Sequence, residues 1–261
     1  MEEKTIDGGC VAEKRTPPIV PENGFGETFT VRSYEIGLMD HATLPTLCNY
    51  MQEAAGLSAE SLGWGIRRLM DEGLTWMLSR LHVKIARRVP SGGRLVMWTW
   101  PSGMKGRLVA TRCFLGLADG GEEALRAHSE WLYVDVRAQK IARLPETFAG
   151  LVPVGTADFD LGDLGGKLSK LPGVTSLAEI SVRRSDLDLN EHVNNVHYVE
   201  WMLEAAPEAG REPVEMDIVF RAAAKAGDSL VSECFREGDR TLHLIRRPAD
   251  GLVLASAVMI W

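Results

Sequence analysis

The second half of this chain repeats the first. Displaced by 151 positions, Val31-Arg32 falls on Val182-Arg183, Leu38 on Leu189 and His41 on His192. Met51 falls on Met202, and Glu53-Ala54-Ala55 on Glu204-Ala205-Ala206. That is eight identities in the 25 positions from 31 to 55, with Tyr50 over Trp201 and Asp40 over Glu191 similar in kind. Later segments match at a smaller offset, Gly92, Leu95 and Val96 with Gly227, Leu230 and Val231. Two copies of one supersecondary unit account for 261 residues better than two unrelated domains do.

Periodicity says what the unit is. Thr43 stands as an N-cap before Pro45, and apolar residues follow at helical spacing through Leu44, Leu47, Met51, Ala55 and Leu62. A long helix is therefore expected from about 44 to 62. The alternation Phe29, Val31, Ile36 marks a strand before it, within 25–36. After it come strand-like runs around 81–85 and over 94–100, 109–118 and 123–135. The second half offers strands over 176–182, 214–220, 229–236, 241–247 and 253–261, with a helix at 195–206. Val196, Val199, Leu203 and Ala206 are its expected buried face. Each half thus reads β-α-β-β-β-β. The polar stretch 1–24, with Pro17-Pro18 and Pro21, reads as a flexible leader. The Gly- and Pro-rich stretch 150–175 reads as a linker between units at 25–149 and 176–261. An antiparallel sheet wrapped around one long helix, used twice, is an α+β tandem double hot-dog. Two such units pair their sheets edge to edge.

Composition removes several classes of function. The net charge is −7, from 29 basic and 36 acidic residues, which argues against a nucleic-acid binder. The apolar runs are too short to span a bilayer. Four scattered cysteines read as free thiols. Six histidines without metal-ligand spacing predict no metal, and no phosphate-cradling loop or Gly-x-Ser-x-Gly elbow is present. No cofactor is expected. The amino-terminal residues show no apolar signal region, so a cytoplasmic location is expected.

The chemistry concentrates in Asp186-Leu187-Asp188-Leu189-Asn190-Glu191-His192-Val193-Asn194-Asn195. Asp188, Asn190 and His192 recur at every second position, a spacing that puts an acid, an amide and an imidazole on one side of an extended segment. Asn194 or Asn195 caps the following helix, whose free N–H groups and dipole can polarise a carbonyl. An Asp near a His can bind or activate water. In the first half His41 matches His192, but Gly37 and Met39 replace Asp188 and Asn190. The second half has the polar set, and the first resembles a half used for binding.

The string Asp-Leu-Asp-x-Asn-x-His-Val-Asn-Asn-x-x-Tyr-x-x-Trp resembles the signature of the acyl-ACP thioesterases. The first half agrees at Arg32-Ser33-Tyr34-Glu35-Ile36, Met51-Gln52-Glu53-Ala54, Thr99-Trp100-Pro101, Ala127-His128-Ser129-Glu130-Trp131 and Arg143-Leu144-Pro145. The resemblance covers about residues 27 to 261. It implies hydrolysis of fatty acyl-ACP to free fatty acid and holo-ACP, with Asp188, Asn190 and His192 as the catalytic set. It also implies the acidic acyl carrier protein as partner, to which the basic pairs Arg67-Arg68, Arg87-Arg88, Arg183-Arg184 and Arg246-Arg247 offer complementary charge. A homodimer is an open possibility. One family residue does not carry over: the acid expected on the next strand falls on Ala223, with Ala224 beside it. Two alternatives stand, a hot-dog acyl-CoA thioesterase and, because of Ala223, a non-catalytic acyl-ACP or acyl-lipid binding protein. Trp64, Met70, Trp76 and Met77 read as core residues, with an acyl-tunnel lining as the other reading.

Overall fold

The structure is a computed structural model, and it describes residues 17, 19–153, 159–206 and 211–261. The first half runs β1 (Phe25–Thr30), α1 (Leu44–Ser61), α2 (Ile66–Asp71), β2 (Leu74–Ile85), β3 (Arg94–Lys105), β4 (Val109–Ala118), β5 (Glu123–Asp135) and the short β6 (Lys140–Ile141). The second runs β7 (Ser176–Ser181), α3 (Asn195–Ala205), β8 (Glu215–Phe220), β9 (Ser229–Glu237), β10 (Arg240–Arg247) and β11 (Leu252–Ile260). The expected order is present in both halves, and β4 and β5 match the expected bounds to the residue. The first strand is shorter than its alternation suggested. It stops at Thr30, and the chain from Val31 to Ile36 turns towards α1. Helix α2 had no counterpart in the sequence reading.

All the strands belong to one antiparallel sheet in the order β1-β3-β4-β5-β2-β8-β11-β10-β9-β7, with β6 on β5. The order reads the same from either end once the halves are matched, so each half is a hot-dog unit and the two join through β2 and β8. In that join His82 pairs with Asp217, flanked by Leu81 with Ile218 and Val83 with Met216. An offset of 135 carries His82 onto Asp217, so this pair sits on the pseudo-twofold axis.

Both long helices lie on one face of the sheet and share a single core. Leu47, Met51 and Ala54 of α1 and Val196, Val199 and Met202 of α3 pack there on Val83, Leu125, Met216, Ile218 and Ala257. The Leu, Ile, Val and Met side chains among them contribute about 1.5–3 kcal/mol each by leaving water. Helix α3 buries Tyr198, Trp201 and Ala205 as well, whereas the expected Leu203 and Ala206 are only half-buried.

The opposite face of the sheet is also covered. Val20 packs with Trp98, Trp100, Cys113 and Leu115, joined by Phe159. Residues 19–24, expected to end a flexible leader, are instead docked, and Asn23 Nδ2 donates to the Leu151 carbonyl (2.7 Å). The rest of that leader, residues 1–16 and 18, lies outside the described residues, as does 154–158 of the linker. Beyond it, residues 159–168 cross the β2–β8 join. The Gly166 N–H donates to Asp217 Oδ2 (3.0 Å). A Cβ at 166 would stand 2.3 Å from the Asp217 carbonyl oxygen, so no other residue fits. Asp217 is fully buried and takes both arms of Arg80, Nε at 2.8 Å and Nη2 at 2.7 Å. Trp64 and Trp76 form a separate cluster under α2 with Tyr133 and Phe148, while Met70 and Met77 are exposed.

Candidate active site

The loop before each helix is built twice with the same backbone. Gly37 N–H donates to the His41 carbonyl (3.2 Å), and Asp188 N–H to the His192 carbonyl (2.8 Å). Ile36 bridges Ala42 as Leu187 bridges Val193. Asp40 and Glu191, also equivalent, both adopt left-handed φ, 55° and 59°. Each loop leans on a carboxylate at the same place. Arg32 N–H donates to Glu35 Oε2 and Arg183 N–H to Asp186 Oδ2, both at 2.8 Å. Burial pushes the Asp186 carboxyl up, but the N–H and guanidinium of Arg183 outweigh that and hold it below its ordinary value. Tyr50 donates to Glu35 (2.6 Å).

Side chains then separate the two loops. In the second, Asp188 Oδ1 accepts the N–H groups of Asn190 (2.8 Å) and His192 (3.3 Å). The loop is therefore wound about that carboxylate, which brings the backbones of all three predicted residues together. No hydrogen bond joins their side chains among the described residues. Asp188 and His192 are exposed and Asn190 is half-buried, and the side chains of Asn190 and His192 make no hydrogen bond among the described residues. In the first loop Gly37 has no carboxylate to offer.

The helix starts differ as well. Asn194 caps α3 by accepting from Val196 N–H (3.1 Å), and Thr43 caps α1 by accepting from Thr46 N–H (3.2 Å). At the first helical position Leu44 N–H donates to Glu212 Oε2 (3.3 Å), a carboxylate from the other half. Its equivalent, Asn195 N–H, has no partner among the described residues. Asn195 instead lines an apolar crevice between the helices. Cys48, Met51 and Gln52 of α1 form one wall and Val196 and Val199 of α3 the other. Leu78, Phe114, Ser129 and Trp131 form its floor on the sheet. Asp188, Asn190 and His192 stand outside this crevice, at the end where α3 begins.

Residues that the sequence reading left unassigned hold the loop. Tyr198, on α3, accepts Ala224 N–H at 2.8 Å and points its hydroxyl at the Ala222 carbonyl (3.5 Å). Burial pushes its phenol up to about 12, so it stays protonated. Val193 N–H donates to the Ala224 carbonyl (3.1 Å). The chain around half-buried Ala223 is thereby clamped against the loop. Glu215 and Asp217, the nearby acids, are engaged elsewhere, Glu215 by His82 (2.7 Å) and Asp217 by Arg80. His197 contacts Glu200 (2.7 Å), and that bond raises its pKa above the ordinary value. Among the described residues no three His, Cys, Asp or Glu side chains group as metal ligands.

Two family models match the chain. The acyl-ACP thioesterase N-terminal domain covers residues 22–151 and the acyl-ACP thioesterase C-terminal domain covers 170–261. The chain is 28% identical to a chloroplastic palmitoyl-acyl carrier protein thioesterase of Gossypium hirsutum, over 91% of its own length and 63% of that enzyme's. It therefore spans less than two thirds of that relative. In shape it is similar to a 12:0-ACP thioesterase from Umbellularia californica, with a TM-score of 0.80, 24% identity and coverage of 93% of this chain and 98% of that one. It is also similar to an acyl-ACP thioesterase from Bacteroides thetaiotaomicron, with a TM-score of 0.78, 21% identity and coverage of 91% and 97%.

Proposed function

Since this chain belongs to the acyl-ACP thioesterase family, we propose that it hydrolyses the thioester joining a fatty acyl chain to acyl carrier protein. The products are a free fatty acid and holo-ACP with its thiol restored. The observation that carries this reading is the contrast between two loops of one backbone. Only the second has Asp188, Asn190 and His192, and only its helix leaves the first N–H open, at the mouth of an apolar crevice.

The acyl chain lies in the crevice, and the thioester carbonyl points at Asn195 N–H, where the partial positive charge of the α3 terminus adds to the hydrogen bond. Asp188 Oδ2, which the loop does not use, takes a proton from water as the water oxygen attacks the carbonyl carbon. Asn190 orients the water. Collapse of the tetrahedral intermediate breaks the C–S bond, and His192 protonates the departing thiolate. Exposed Arg183 and Arg184, beside the loop, give an acidic carrier a complementary surface.

The test is hydrolysis of acyl-ACPs from C8 to C18, with matched acyl-CoAs alongside and free thiol as readout. Turnover of the acyl-ACPs is expected to exceed that of the acyl-CoAs. Asp188→Ala and His192→Ala are each expected to lower it by about 10²–10⁴-fold with unchanged melting temperature. Wild-type turnover in both variants discards the site, and a folded wild type that hydrolyses no chain discards the activity.

A further inference from the structure

Arg112 is a cation inside the core with no acid to answer it among the described residues. It stands on β4, is only 9% exposed, and its Nη1 donates to Ser58 Oγ (3.0 Å) and Thr99 Oγ1 (3.2 Å). Among the described residues no carboxylate reaches it, and burial pulls its pKa down to about 10, so it keeps its charge at neutral pH. Nε and Nη2 have no acceptor among those residues. A buried guanidinium held by two hydroxyls is a costly arrangement, and the partial negative charge of the last α1 turn, where Ser58 lies, eases it.

Its place gives that cost a use. Arg112 is paired across the strands with Ser129, and Ser129 is paired with Leu81. Phe114 and Ser129 both line the crevice floor. On the helix side Met51 lines the crevice, and Ser58 lies seven residues, two turns, further along the same stripe. The crevice starts at Asn195, and the stripe that lines it, followed along α1 from Met51 to Ser58 and along β4 from Phe114 to Arg112, leads into the first half to the guanidinium, which stands beyond the lining residues.

We propose that Arg112 stops the far end of the acyl crevice and sets the longest chain it takes. This rests on the reading of the crevice as the acyl site. An apolar chain can advance until its terminal methyl meets the guanidinium, and one more methylene would press apolar surface against a charge. A chain that carries a carboxylate at its far end would instead find a partner there. Arg112 is a specificity residue and takes no part in the chemical step.

Calorimetric binding of free fatty acids and of α,ω-dicarboxylic acids, C8 to C18, reads the crevice without any hydrolysis, so failure of the hydrolase assay leaves this test intact. For the wild type, monoacid affinity is expected to rise with length to a limit and then fall. The dicarboxylic acid of limiting length is expected to bind within tenfold of its monoacid. In Arg112→Met, monoacids two carbons past that limit should gain about tenfold, the effect of two further buried methylenes, and the dicarboxylic acid should lose at least about a hundredfold. An unchanged length profile in folded Arg112→Met overturns the proposal. If that variant does not fold, rejection of dicarboxylic acids by the wild type at every length overturns it.

Discussion

Asp188 and Gly37 occupy one position in two copies of a loop, and the difference between them is a single carboxylate. With it, the second loop has an acceptor for two backbone N–H groups and a spare oxygen facing water. Without it, the first keeps the same turn, because Asp40 and Glu191 both hold the left-handed φ that shapes it. A different residue sets a pH limit on the molecule. His243 is fully buried on β10, between its strand partners Cys234 and Ala257, and burial pushes its imidazole down to about 3 from an ordinary 6.5. The unfolded chain takes up a proton there below pH 6.5, and the folded chain does not until about pH 3. Stability from this residue is therefore complete at neutral pH and is lost as pH falls through that window. At pH 5 the loss is about 2 kcal/mol. Denaturant melts at pH 7 and pH 5 should show it in the wild type, and His243→Leu should narrow the gap by about that amount.

Among the elements, the two helix starts carry the argument. Thr43 and Asn194 perform the same capping task, so Thr43→Ala and Asn194→Ala should each cost about 1 kcal/mol in urea melts. Only Asn194→Ala should also slow hydrolysis, since only α3 has an open first amide at the crevice. Much of this level was legible in the sequence. Strands β4 and β5 are largely apolar runs that end in Gly-containing or charged turns, and Thr43-Leu44-Pro45 announces α1. The repeat located both loops, and through them Asp188, Asn190 and His192. What was not legible depends on distant partners. Helix α2 is six residues long, too short to show a period, and it buries only Leu69. Arg32 to Ile36 alternates like a strand but finds no strand to pair with among the described residues. Glu212 accepting from Leu44 at the start of α1, and Tyr198 clamping Ala222 to Ala224, link residues 168 and 26 positions apart, which no local pattern encodes.

At the scale of the whole molecule the join between β2 and β8 makes one body of two halves. Its centre is polar. Asp217, fully buried, depends on Arg80 and on the Gly166 N–H. Arg80→Met would leave that carboxylate with one donor, at a cost of about 3–5 kcal/mol. Because the sheet and core run through the join, the loss should appear in a single cooperative urea transition followed by fluorescence and by circular dichroism alike. Non-coincident transitions would mean that the halves unfold independently. The pseudo-twofold axis at His82 and Asp217 has one more consequence. In a pair of identical chains, any substitution appears on both sides of the axis, so a change that improves one cleft and spoils its mirror image is both gained and suffered at once. A pair fused into a single chain escapes that symmetry. Gly37, Met39 and Glu212 could be altered on one side without disturbing Asp188, Asn190 and Asn195 on the other, and the two clefts were free to specialise.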